Sequence, residues 1–249
     1  MLRLTPTELF LHLDDPLSPE RAGALQRLVA QRSAGEPIAY LTGWREFFGF
    51  DLQVTPDVLI PRPETELLVE RAITALPPGA TAVDIGTGSG AIAIAVARRR
   101  PDLRLLAIDR SPEACRVART NVDSQHVQHA VGVVCADLLS AVRWPVQAIL
   151  ANLPYLRRDE LPALPREVRC EPQQALDGGY DGLELYRRLL TDLASRRPSP
   201  VLVLCEIAPM QADVMAGLVK SALPGCEVRV YPDLAGRARV VEARARFAS

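Results

Sequence analysis

From Thr81 onward, short apolar runs alternate with stretches of helical spacing, and this alternation leaves few folds open to the chain. The apolar runs lie at 82–85, 103–108, 131–135, 148–151 and 201–207. They are continuous, as strands buried on both faces must be. Helical patterns at 91–99 and 112–122 separate the earlier ones. Strand–helix alternation implies a parallel sheet covered by helices on both sides. Two further runs, 226–230 and 239–243, are joined by a short loop holding Pro232 and Gly236. That predicts an antiparallel hairpin at the end of the sheet. The expected class is α/β: a doubly wound, mostly parallel sheet of seven strands.

The residues before Thr81 read differently. Residues 1–35 look like short helical segments, with Leu9, Leu11 and Leu13 in one apolar patch. Ser18-Pro19-Glu20 has the form of a cap with proline at the first helical position, and Ala24, Leu25, Leu28 and Val29 share one face. This piece is too small to hold a core alone. Residues 36–63 form a connector: 44–54 is aromatic and β-branched near Gly43 and Gly49, as in a hairpin, and Pro61-Arg62-Pro63 is a rigid extended turn. The main domain is expected over 64–249, opening with a helix through Leu67, Leu68, Val69 and Ala72.

Composition removes several function classes. The net charge of -1 offers no global field for binding nucleic acid. No apolar run approaches the roughly 18 residues of a membrane span. Glu8, Asp14 and Asp15 sit where a signal peptide needs an apolar core. Five cysteines without a CxxC pair, beside three histidines, argue against zinc and fit a reducing cytoplasm. Cys135 and Cys205, in apolar runs, are expected to be buried thiols.

The segment DIGTGSG, residues 84–90, follows one predicted strand and opens a helix. Gly86, Gly88 and Gly90 let the backbone turn sharply and approach a ligand, with Thr87 and Ser89 between them. A dinucleotide loop has the spacing GxGxxG. Here it is GxGxG with Ala91 next, which resembles the loop of methyltransferases that bind S-adenosylmethionine. Asp109 ends the next strand, about 20 residues on, where a carboxylate can accept from two ribose hydroxyls. Asp137, with Leu138, follows the third strand and is placed for an adenine amino group.

Asn152-Leu153-Pro154-Tyr155 follows the fourth strand. It resembles the (Asn/Asp/Ser)-Pro-Pro-(Tyr/Phe/Trp) motif of amino methyltransferases, whose nucleophile is a planar nitrogen of glutamine, adenine or cytosine. An amide nitrogen is a poor nucleophile because its lone pair is delocalised. Two carbonyl oxygens, the Asn152 side chain and the Leu153 main chain, can accept its N–H groups and aim the lone pair. Pro154 fixes its own φ and keeps Leu153 extended. Tyr155 can pack its ring on the planar group. Leu153 stands where proline is usual, as in the ribosomal-RNA adenine dimethyltransferases, so the tetrapeptide alone leaves glutamine and adenine open.

Further segments resemble the peptide chain release factor N5-glutamine methyltransferases along nearly the whole chain. They include 37–43 (PIAYLTG), 58–66 (VLIPRPETE), 167–175 (EVRCEPQQA), 178–186 (GGYDGLELY), 206–211 and 233–241 (DLAGRARVV). The resemblance implies a Rossmann-like class I fold and methylation of the glutamine in the Gly-Gly-Gln loop of class 1 release factors. It also implies a small N-terminal helical domain that grips the factor, here shorter than usual. Arg62, Thr65 and Glu66 are expected to line the active site, with Glu171 either walling the glutamine pocket or lying in a surface loop. No direct nucleic-acid contact is expected. The competing readings are a nucleic-acid adenine methyltransferase and a cofactor-binding subunit without catalysis.

Overall fold

The computed structural model describes residues 6–196 and 201–245. The chain begins with α1 (Pro6–Leu11), α2 (Pro19–Ser33) and α3 (Ile38–Thr42), followed by an antiparallel hairpin of β1 (Trp44–Phe47) and β2 (Phe50–Gln53). After an extended stretch come α4 (Glu66–Ala75), β3 (Thr81–Ile85), α5 (Ala91–Arg99), β4 (Arg104–Asp109), α6 (Pro112–Ser124), β5 (Val131–Cys135) and β6 (Ala148–Ala151). The remainder comprises α7 (Arg166–Arg169), α8 (Glu184–Arg196), β7 (Val201–Glu206), α9 (Ala212–Ala222), β8 (Glu227–Pro232) and β9 (Ala238–Ala245).

Strands β3 to β9 form one sheet in the order β5-β4-β3-β6-β7-β9-β8. All neighbours are parallel except those of β9, which runs antiparallel to both β7 and β8. The seven-stranded, mostly parallel sheet expected from the sequence is therefore present. Its central strands β3, β6 and β7 are buried on both faces because successive side chains enter two different cores. Ala82 and Leu150 pack with α4 and α5; Val83, Ile85 and Ile149 pack with α8 and α9. That alternation aims Asp84 at the α5 side, beneath the turn that follows β3.

The chain winds outward from β3 to β5, then returns to place β6 on the other flank of β3. This reversal opens a crevice at the carboxyl ends of the two strands. Ile85 lies opposite Ala151 in the ladder, so Gly86 and Asn152 emerge side by side.

The N-terminal part is built otherwise. Ser18 caps α2 through its side chain, with Pro19 in the first turn, as the sequence predicts. Yet α2 buries none of its residues, and Leu25 and Val29 are exposed. Leu11 and Leu13 are exposed as well, while the Leu9 side chain lies outside the described residues. The hairpin is better anchored: Phe47 and Leu52 join the α4–α5 core. Cys205 is buried as expected, but Cys135 is exposed. It ends β5, an edge strand of the sheet with a neighbour, β4, on one side only.

Candidate active site

The turn after β3 is held from below and left open above. The Gly86 and Thr87 N–H groups both donate to the Ile108 carbonyl, at 2.8 and 2.9 Å. Gly86, Gly88 and Gly90 have φ of 73, 55 and 86°, a region that side chains rarely tolerate. A Cβ on Gly86 would meet the Leu153 side chain at 2.9 Å, whereas one on Gly88 would meet nothing within 4 Å. Gly86 thus lets the turn lie against the β6 tip, and Gly88 faces open space. Asp84 anchors the turn: its Oδ2 accepts from Thr87 Oγ1 at 2.6 Å and from the Ala93 N–H at 3.3 Å. Among the described residues its Oδ1 is buried without a partner. Burial pushes this carboxyl up to about 7, against the opposing pull of those two hydrogen bonds.

Asp109 is oriented by backbone. Its Oδ2 accepts from the Gly88 N–H at 3.0 Å and its Oδ1 from the Ser111 N–H at 2.9 Å. Each oxygen keeps a further lone pair for a ligand. Asp109, Asp137 and Leu138 line one cleft together with Gly86, Thr87, Gly88 and Ser89. Ile85, Ile108 and Ala136 supply apolar wall between the carboxylates. An apolar slot rimmed by acids suits a nucleoside, whose base is flat and whose ribose donates. Asp137 is also paired at the surface with Arg188. Leu138 has φ 46°, a costly backbone state for a branched side chain, at a wall position of the cleft.

The tip of β6 forms the opposite wall, where Asn152, Leu153 and Pro154 join Arg62 and Thr65. Asn152 Nδ2 donates to Thr65 Oγ1 at 3.1 Å, and among the described residues nothing bonds its Oδ1. The amide is therefore turned with its acceptor free. The Leu153 N–H donates to the buried Tyr186 hydroxyl at 3.1 Å, which in turn donates to the Glu206 carbonyl. No described donor reaches the Leu153 carbonyl. The tip is thus pinned through its N–H and side chains, leaving two carbonyl oxygens without partners.

Four of the expected site residues lie outside the cleft wall, among them Glu66, whose carboxylate accepts from the Phe48 N–H at 2.9 Å. The left-handed Gly90 caps α5 and packs near Ala118 and Ile94. Tyr155 turns behind the tip, its hydroxyl 3.4 Å from Glu206 Oε1, its ring against the α8–α9 core. Burial beside Glu206 pushes its phenol far up. Glu171 is buried and grips the extended segment before α4: its carboxylate accepts from the Ile60 N–H at 3.0 Å and pairs with Arg62. Glu171 acts on the cleft by holding Arg62 over it.

Comparison with known proteins gives the family. A family model for the methyltransferase small domain matches residues 63–176, and one for the PrmC N-terminal domain matches residues 1–43. A release factor glutamine methyltransferase from Moorella thermoacetica is 41% identical over 95% of this chain and 84% of its own. One of the same description from Cereibacter sphaeroides is 42% identical over 98% of this chain and 87% of its own. The chain belongs to the release factor glutamine methyltransferase family.

Solved structures extend the fold likeness beyond this family. A ribosomal protein L11 methylase from Lactobacillus delbrueckii subsp. bulgaricus covers 79% of this chain and 86% of its own at TM-score 0.56 and 19% identity. A methyltransferase from Pyrococcus furiosus covers 88% and 96% at TM-score 0.59 and 19% identity. Around this cleft, Asp84, Tyr186 and Glu206 are structural participants that spacing alone did not single out. Each is a fully buried polar residue, and burial is not visible in a motif. The signal available was a lone acid inside an apolar run, as at Asp84 and Glu206.

Proposed function

We propose that the protein transfers a methyl group from S-adenosylmethionine to the side-chain amide nitrogen of the Gly-Gly-Gln glutamine in a class 1 peptide chain release factor. The observation that carries this reading is the Asn152 amide, its oxygen free in a cleft shared with the glycine turn. The kinship with release factor glutamine methyltransferases at about 40% identity supports the same substrate.

The residues present fit the cofactor. Open space over Gly88 admits a close ligand, and Asp109 offers a lone pair on each oxygen to a ribose. Asp137 and Leu138 stand where an adenine would lie. When bound, S-adenosylmethionine supplies an electrophilic methyl on a cationic sulfur. Asn152 Oδ1 would accept one N–H of the glutamine amide, and the Leu153 carbonyl the other. Both acceptors favour the positive charge that grows on nitrogen. Pro154 keeps the preceding backbone extended, so the two oxygens stay aligned. The methylated nitrogen is acidic enough to lose its proton to water, so no strong side-chain base is required.

Arg62, held by Glu171, sits over the cleft where a substrate backbone would pass. Residues 1–35 would grip the factor outside the reaction site; their exposed Leu25 and Val29 suit a protein surface. Two arginines near the cleft mouth are matched by acids, Arg158 with Asp177 and Arg188 with Asp137, which lowers the positive charge that a nucleic-acid phosphate track would need.

The test is mass spectrometry of a class 1 release factor co-expressed with this protein. One added methyl on the Gly-Gly-Gln glutamine is expected. An unmodified glutamine, with methyl transferred instead to RNA, overturns the reading.

A further inference from the structure

We infer that Gln211 is a positioning residue for segment 152–155: its amide holds the backbone from which the Leu153 carbonyl is aimed into the cleft. This deepens the function proposed above and rests on it. Turning a carbonyl about the chain direction requires the ψ of its own residue and the φ of the next to change together. The residue after Leu153 is Pro154, whose ring locks φ. The Leu153 carbonyl and the Pro154 ring therefore move as one rigid piece. Upstream, that piece is fixed by the Leu153 N–H on the Tyr186 hydroxyl at 3.1 Å. Downstream, its direction depends on what holds the Pro154 and Tyr155 carbonyls.

Two glycines bring a loop against those carbonyls. A Cβ on Gly178 would meet the Pro154 carbonyl oxygen at 2.6 Å, and one on Gly182 would overlap both the Tyr155 carbonyl oxygen and Gln211 Nε2. A chain packs this closely only where it carries no side chain. The loop is itself ordered: the Asp181 carboxylate accepts from the Leu183 N–H at 3.2 Å and pairs with Arg187. The Gly178 N–H donates to the Leu156 carbonyl at 2.8 Å, and the Leu156 N–H to the Leu176 carbonyl at 3.2 Å. Neither bond serves the Tyr155 carbonyl, which is left to Gln211.

Gln211 precedes α9 and joins three segments through one amide. Nε2 donates to the Tyr155 carbonyl at 2.9 Å and to the Asp181 carbonyl at 3.4 Å, while Oε1 accepts from the Ala208 N–H at 3.0 Å. An amide has two N–H groups and one carbonyl oxygen, so this arrangement uses both donors and fixes which end points where. Among the described residues no other donor reaches the Tyr155 carbonyl. A carboxylate in this place would set its oxygens against two carbonyl oxygens, and a thioether of similar length would offer no N–H. Losing the Nε2 donor frees the Tyr155 peptide, and with it the rigid piece that carries the Leu153 carbonyl. Asn152 is held separately, through Nδ2 on Thr65. One of the two acceptors then drifts while the other stays.

The test compares Gln211→Glu and Gln211→Met with wild type, using the full chain and a class 1 release factor as methyl acceptor. Rates are taken per bound cofactor, so that loss of folded protein does not count as loss of rate. A misplaced acceptor should lower kcat about 10- to 100-fold in Gln211→Glu and about 10-fold in Gln211→Met. Cofactor Kd and release factor KM should each stay within about threefold. A role in stability alone would lower the urea midpoint and leave kcat per bound cofactor within about twofold of wild type. That result overturns the inference, as does a rise in cofactor Kd as large as the fall in kcat. Either outcome, with Asn152→Ala still impaired, leaves the function standing. Normal turnover by Asn152→Ala overturns both. Should Gln211→Glu fail to fold, Gln211→Met carries the same comparison.

Discussion

The cleft has two walls, and they are assembled on different scales. The glycine wall is local. Asp84 reaches Thr87 and Ala93, three and nine residues on, and Asp109 reaches back 21 residues to Gly88 and forward two to Ser111. The Asn152 wall is gathered from afar: Thr65 lies 87 residues away, Tyr186 33 residues from Leu153, and Glu206 51 residues from Tyr155. A ligand that is gripped by backbone can be served by one turn. A substrate nitrogen that must be aimed needs acceptors held against rotation, and those supports come from several elements. The glycine wall should thus govern affinity, and the Asn152 wall rate.

The sharpest way to break this contrast is Asn152→Ala. Removing a preorganised acceptor of developing charge should lower transfer about 10²- to 10³-fold, or about 3–4 kcal/mol. Cofactor affinity, measured by calorimetry, should move by less than about threefold. A rate within a factor of two of wild type, or a comparable loss of cofactor binding, would erase the division between walls.

The same contrast explains what the sequence could disclose. The strand runs, the hairpin of β8 and β9 and the helix opening at Glu66 were legible because burial on both faces forces continuous apolar segments. DIGTGSG and Asp109 were legible because their partners sit within the same two strands. Tyr155 illustrates the limit. An aromatic ring after Pro154 reads as a stacking surface, but its hydroxyl is drawn behind the tip to Glu206, and no motif reports that partner. Glu171 is similar: its contacts with Ile60 and Arg62 span 111 and 109 residues, a separation that only the sheet's winding closes. Cys135 misled because an apolar run at a sheet edge exposes one side of its last residue.

Tyr186→Phe probes the support behind the Asn152 wall. The lost hydroxyl accepts from the Leu153 N–H and donates to the Glu206 carbonyl, all in a fully buried setting. Leaving the Leu153 donor unpaired should cost about 1–3 kcal/mol of stability in chemical denaturation. The rate should fall with it, since the β6 tip is then free to shift. On the other wall, Asp109→Asn keeps one acceptor oxygen but replaces the other with a donor facing a backbone N–H. Cofactor Kd should rise about tenfold, roughly 1.4 kcal/mol, with kcat at saturating cofactor little changed. A change in kcat without one in Kd would assign Asp109 to the chemistry and merge the two walls.

The smallest expected effect tests a symmetry between them. Each wall rests on one buried acid, Asp84 or Glu206, and burial raises both to about 7. A carboxyl whose folded pKa is raised binds more protons folded than unfolded between its ordinary value and about 7. The unfolding free energy then falls as pH rises through that window, and is flat above it. Asp84→Asn should remove the share of this slope that belongs to the glycine wall, a fraction of the about 1.4 kcal/mol per pH unit that one proton can contribute. Glu206 keeps its share, so urea midpoints measured from about pH 5 to pH 8 should still decline in the variant, but less steeply than in wild type. A variant whose slope matches wild type would show that Asp84 is charged across the window. The turn would then be held by a carboxylate stabilised through Thr87 and Ala93, and only the Asn152 wall would feel mild acid.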